Sequence, residues 1–241
     1  MKKLILIIFF CNLMTYAQKN SGIISYKVYN VSNEENKDAD VNDFIKKPNE
    51  DLLKLEFELS FNAQESLFIV KDALEIDGNS YFRNMALALA GASNRIWYTN
   101  FEKLTMQYNF MNKLFLVEKN KNSTEWQLSN ETKKIGDYLC YKAKCTLPNI
   151  GSKGLVEKNV EVWYAKDIPI PLGPVGLVGL PGLILEANFF KVSYFASNVK
   201  IKKGKHINII IPEKGERITE NDFFNLAVSK VKEHKEDINN D

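Results

Sequence analysis

The sequence predicts a mainly β protein: a curved antiparallel sheet or partly open barrel with a C-terminal helix packed on it. Three observations lead there. Apolar and polar residues alternate with a period of two in many short segments. Turn dipeptides containing glycine, proline or asparagine separate many of those segments. The strongest helical periodicity lies near the C-terminus. Strands that follow one another at short spacing, with few helices between, favour antiparallel pairing over βαβ units.

The elements follow in order. Lys2 and Lys3, the mostly apolar Leu4–Leu13 and the small-x-small site Thr15-Tyr16-Ala17 form the pattern of a secretory signal peptide over residues 1–17. Its apolar run is shorter than the roughly 20 residues a bilayer span needs. Bulky Phe9 and Phe10 before Cys11 argue against a lipoprotein signal. Residues 18–241 carry no internal repeat and no Pro/Ser-rich linker, and read as a single β-rich domain. The expectation is an exported protein, periplasmic or extracellular. The C-terminus carries no evident β-rich secretion domain, which favours the periplasm.

Ile24, Tyr26 and Val28 alternate with Ser25, Lys27 and Tyr29, and Leu55, Phe57, Leu59 and Phe61 with Glu56, Glu58 and Ser60. Further strands are predicted at Ser66–Val70, Arg95–Thr99, Thr105–Phe110, Leu114–Val117, Glu125–Leu128 and Tyr138–Thr146. Asn159–Ala165, Leu183–Phe190, Val192–Ile201 and Ile207–Ile211 complete the set. Asp77-Gly78, Gly136-Asp137, Pro148-Asn149 and Lys203-Gly204 supply turn chemistry. Arg83–Ala90 predicts a short helix stopped by Gly91. Near the C-terminus, Thr219 caps a helix with Asp222 three residues on, and Phe223, Phe224, Leu226, Ala227 and Val231 form its apolar stripe.

Composition excludes several functions. Removing the two leader lysines takes the formal charge from +2 to zero, so no field steers nucleic acid or an anionic membrane to the mature chain. The basic run Lys200–His206 reads as a solvated turn between strands. No cofactor and no metal site is expected. His206 and His234 lie far apart without metal-ligand spacing. Asp38-x-Asp40-x-Asn42 opens like a calcium loop, but Asp43 stands where the turn glycine belongs and Asn49 where the bidentate glutamate belongs. Export permits Cys140 and Cys145 to pair. A straight strand would hold them about 16 Å apart, whereas a disulfide needs Cα atoms within about 7 Å. Pairing therefore requires a turn or bulge inside Tyr141–Lys144.

The run Gly173–Ile184 holds four glycines and two prolines among apolar residues, with no charged or hydroxyl side chain. It predicts a tight, packed loop feeding the strand that begins at Leu183. Trp97-Tyr98 and Trp163-Tyr164 each sit in a predicted strand, so one ring of each pair faces inward and one outward. An outward ring can line a recognition groove.

Gly179-Leu180-Pro181-Gly182-Leu183-Ile184 resembles the signature of the GLPGLI family of exported Bacteroidetes proteins. Gly136–Ala143, with its glycine, tyrosine, cysteine, lysine and alanine, resembles a second family segment. Val162–Pro169 followed by Gly173-Pro174 resembles a third. Cys145 lies outside that pattern, which weakens the case for a shared disulfide. The resemblance implies membership and carries over no activity and no catalytic residue. The expected function is a non-catalytic envelope binding or interaction module, partnered by an apolar ligand or an envelope protein. The candidate binding residues are Trp163, Tyr164, Gly173, Pro174, Leu180 and Pro181. The alternative is a secreted hydrolase-like enzyme without a recognisable motif, which would need serine, histidine and carboxylate side chains within hydrogen-bond reach.

Overall fold

The computed structural model describes residues 20–31, 48–71, 80–93, 95–151, 154–204 and 206–240. The leader 1–17, the acidic segment Asn33–Asp43 and the Asp77-Gly78 turn lie outside the described residues.

Period-two alternation produces a single sheet of 12 strands. They are β1 (Asn20–Asn30), β2 (Glu56–Phe61), β3 (Ser66–Lys71), β4 (Arg95–Thr99), β5 (Lys103–Phe110) and β6 (Lys113–Asn120), then β7 (Gln127–Ile135), β8 (Tyr138–Gly151), β9 (Gly154–Ala165), β10 (Leu183–Phe189), β11 (Val192–Lys203) and β12 (Glu216–Thr219). Their spatial order is β12-β6-β5-β4-β3-β2-β1-β11-β10-β9-β8-β7. Neighbours are antiparallel except β12, which runs parallel to β6. A helical segment, α1, covers 48–54, while α2 spans Ser80–Leu89 and α3 spans Glu220–Asn240. The expected mainly β architecture is therefore observed, as an open sheet rather than a closed barrel.

Register carries one apolar face across the strands. Ile24 lies opposite Leu59, Tyr26 opposite Phe57, and Leu59 opposite Phe68. Phe68 meets Trp97, Trp97 meets Met106, and Met106 meets Val117. Because side chains alternate, this one register places Tyr26, Phe57, Phe68 and Trp97 on the same inner face. Phe57 and Phe68 stack at 5.6 Å, and Trp97 and Tyr194 close edge-on around them. Buried Tyr26 donates its hydroxyl to the Ile184 carbonyl at 2.7 Å, next to the register shift of β10.

Helix α3 packs against β6 and β12 at one end of the sheet and against β8 and β9 near the other. It thus bridges the gap that the open sheet leaves. Thr219 caps it as predicted: the Asp222 amide donates to Thr219 Oγ1 at 3.2 Å. Gly91, with φ of 70°, ends α2 as expected.

Several boundaries differ from the sequence reading. Ile207–Ile211 is extended but pairs with no strand, and Ile210 is 76% exposed. Pro148-Asn149 is not a turn, because both residues stay in the β8–β9 ladder opposite Glu157 and Val156. Pairing of β8 with β7 ends at Lys144, so Pro148 lies where β8 has a neighbour on one side only, a position that tolerates the missing N–H. Segment α1 and the short strand β12 are two elements that periodicity did not reveal. The basic run beginning at Lys200 is exposed at Lys200–Gly204, but Lys200–Lys203 are strand and not turn, because they continue β11 in its pairing with β1.

Candidate functional site

The glycine–proline run forms a plug inside the concave face. Leu172 and Val178 bridge to each other, so the chain doubles back on itself, and Pro174–Gly176 makes one 3-10 turn. At the tip Val175 and Gly176 are both left-handed, with φ of 47° and 74°. A Cβ on Gly176 would stand 2.6 Å from Trp97 Cδ1, so a hydrogen is all that fits there. Gly182 is constrained by space alone, since a Cβ there would lie 2.1 Å from the Ala165 carbonyl oxygen. The Trp126 indole donates to the Val178 carbonyl at 2.8 Å and holds the returning arm. The expected packed loop feeding β10 is observed, and the tip of this loop reaches the far wall of the sheet.

Below the tip is a cavity of about 340 Å³. Strands β4 and β5 supply Trp97, Leu104, Met106 and Tyr108, and the plug supplies Val175 and Leu177. Leu147 and Ile150 of β8, the adjacent rings Phe189 and Phe190, and Phe223 and Phe224 of α3 complete the wall. The lining is thus mainly apolar and drawn from both ends of the sheet, from the plug and from the bridging helix. Two cations enter it. Lys119 is neutralised by Glu220 of α3 at 3.3 Å, a pairing set by the parallel register of β12 on β6. Arg95 stands at the start of β4 with its guanidinium 4.3 Å from the centre of the Tyr108 ring. A second, larger trough of about 710 Å³ lies between the β2–β3 and β4–β5 turns and the base of the plug, where Asn62, Glu65, Asn100 and Pro171 line it.

The six residues chosen from sequence lie elsewhere, and none lines either cavity. Trp163 and Tyr164 point to opposite faces as alternation requires, yet both are buried. Trp163, on the outer face, is roofed by Lys133, whose ammonium sits 4.5 Å from the indole centre and is held by Glu186 at 2.7 Å. Tyr164 packs on Tyr141. Gly173, Pro174 and Leu180 are buried inside the plug, and Pro181 is exposed on its return arm. Trp97 and Tyr98 behave alike. Trp97 joins the core, and Tyr98 donates to Glu65 at 2.7 Å on the other face. The cavity residues were missed because their signal is distributed. Alternate residues of β4 and β5 meet Leu147–Ile150 of β8 only through register.

Cys140 and Cys145 are both free and buried in one continuous strand. Five residues apart, they point to opposite faces, so the turn that a bridge would need is absent. Burial pushes each thiol from about 9 up to about 11. Between those values the unfolded chain sheds protons that the folded chain retains, so stability should be flat below about pH 9 and fall as pH rises through about 11. Urea midpoints measured across that range check this. A Cys140→Ala/Cys145→Ala variant should show a shallower decline, and an unchanged slope would refute the assignment. His206 is exposed and has no hydrogen-bond partner among the described residues, so it assembles no hydrolytic triad there.

Comparison with known proteins adds a partial match to a family model and a shared fold. A family model described as a protein of unknown function (Porph_ging) matches residues 151–186, the stretch carrying Trp163-Tyr164 and the glycine–proline plug. No curated protein sequence matches the chain. Two solved structures of PNGF-II share the fold at TM-scores of 0.51 and 0.50, with 15% and 16% identity, over 89% of this chain. The chain spans about one third of the PNGF-II length, 33% and 34% in the two crystal forms. The Mycobacterium tuberculosis lipoprotein LppX aligns over 87% of this chain and 99% of its own at 10% identity, with a TM-score of only 0.28. Among the described residues no helix is long and apolar enough to cross a membrane, and no cluster of potential metal ligands occurs. The glycine–proline plug thus falls inside the one segment that resembles the Porph_ging model, while the architecture around it is similar to a part of PNGF-II.

Proposed function

We propose that this chain is an exported, non-catalytic binding protein that carries an apolar ligand in the cavity between the plug, β4–β6 and α3. One observation carries the reading. The sheet, the plug and α3 border a pocket of about 340 Å³ that opens to solvent and is lined largely by aromatic and aliphatic side chains. That volume falls in the range of small-molecule sites. The wall is built for it. A glycine at the plug tip lets the backbone pass close to Trp97 and Leu104, and the helix bridging the sheet's open side contributes two phenylalanines. In this reading the leader 1–17 directs export and the GLPGLI-like plug is the structural hallmark of the family.

Native mass spectrometry of the protein purified from its own envelope tests the proposal. A co-purifying lipid-sized mass, lost when Leu104→Trp fills the cavity in a variant with unchanged circular dichroism, is the expected result. Ligand-free masses for both the folded wild type and the variant would count against carriage.

A further inference from the structure

Resting on that carrier reading, we infer that the ligand is a single-chain amphiphile with a carboxylate head group, and that Arg95 receives the carboxylate. The argument is a balance of charge and hydrogen bonds. The two cations of the cavity are unequal. Lys119 is paired with Glu220, the lining's only carboxylate, so that couple contributes no net charge. Arg95 has no carboxylate partner among the described residues. Its Nη1 donates to the Gly91 carbonyl at 3.0 Å, which anchors the side chain to the end of α2. Its Nε is buried and makes no hydrogen bond.

A buried donor without an acceptor is costly, and a guanidinium is charged at every relevant pH. The Tyr108 ring beneath it offers a cation–π face and no acceptor atom. The fully buried Tyr194, whose hydroxyl is spent on the Ala90 carbonyl at 2.7 Å, feels the Arg95 charge without neutralising it. The pocket therefore presents a partly buried guanidinium with no carboxylate partner, whose N–H groups meet only the Gly91 carbonyl among the described residues, beside an apolar wall. A carboxylate supplies one negative charge and acceptor oxygens suited to a guanidinium edge. The alkyl chain then extends along Met106, Leu177 and Phe223. A phosphate monoester would bring nearly two charges to a site that balances one.

Titration calorimetry of the full chain with dodecanoate, dodecanol, dodecyl phosphate and dodecyltrimethylammonium tests the assignment. Dodecanoate should bind about 10-fold or more tightly than dodecanol, by the strength of a charge-assisted hydrogen bond. The ammonium amphiphile should bind most weakly. Arg95→Met should erase the preference for dodecanoate over dodecanol, and Arg95→Lys should restore much of it. Equal wild-type affinity for dodecanoate and dodecanol overturns the role of Arg95 and leaves carriage intact. Tighter binding of dodecyl phosphate overturns the carboxylate. Failure of the wild type to bind any of the four overturns carriage itself. If Arg95→Met does not fold, the wild-type ranking of the four head groups still decides the question.

Discussion

Gly182→Val should abolish folding, and even Gly182→Ala should cost about 3 kcal/mol or more. The reason is a backbone contact. A Cβ at this position would lie 2.1 Å from the Ala165 oxygen, 2.7 Å from its carbon and 3.0 Å from the Lys166 nitrogen. Those atoms end β9, which is paired on one side with β8 and on the other with β10, so the wall cannot retreat. No side-chain rotation relieves the clash, whereas the obstruction at Gly173 is the Ile184 side chain and not backbone. Gly136 is the control. It is left-handed with nothing within 4 Å of a built Cβ, so Gly136→Ala should cost about 1 kcal/mol from backbone strain alone. Denaturant midpoints of the two alanine variants decide the matter. Similar midpoints would mean that the plug can shift, and the rigid-plug account would fail.

Phe223→Ala should be the most damaging single change in α3, costing about 3–5 kcal/mol as expected for a buried phenylalanine. Phe223 is 3% exposed and its ring lies 5.5 to 5.7 Å from those of Tyr108, Phe110 and Phe115. This aromatic cluster joins the helix to the β5–β6 end of the sheet, and with Ala227 it forms a core separate from the main one. Removing the ring leaves Tyr108 and Phe115 facing a void that the helix backbone cannot fill. Phe224, half-buried beside it, should cost much less when replaced by alanine. Urea unfolding followed by circular dichroism gives both values. A Phe223→Ala loss below about 1 kcal/mol would show that α3 does not close the sheet.

How much of this was legible beforehand depends on the range of the interactions. Phe57, Leu59 and Phe61 announce β2 because every second residue must enter the same apolar layer, a rule that acts within one strand. The α3 cap is likewise local: Thr219 and Asp222 bond across one turn. Pro148 misled because its missing N–H is harmful only where a neighbouring strand exists to receive it, and whether β7 reaches that far is not written near Pro148. Trp163 suggested an outward recognition ring. Its roof comes from Lys133 of β7, two strands earlier in the chain, and from Glu186 of β10, reached only after the glycine–proline run.

The glycine–proline run shows the same division within one segment. Its composition alone determined that it would be packed rather than reactive, since it holds no side chain able to transfer a proton or bear charge. The mainly β class and the closing helix were determined in the same way, because periodicity and caps are properties of adjacent residues. Where the plug reaches, and that Val175 and Gly176 meet Trp97 across the interior, was decided only by the tertiary structure. So was the isolation of Arg95, an ordinary surface-like residue in sequence that register turns inward beside Tyr108 while Glu220 goes to Lys119. Charge balance inside a cavity is a sum over strands far apart in the chain, and no local pattern records it.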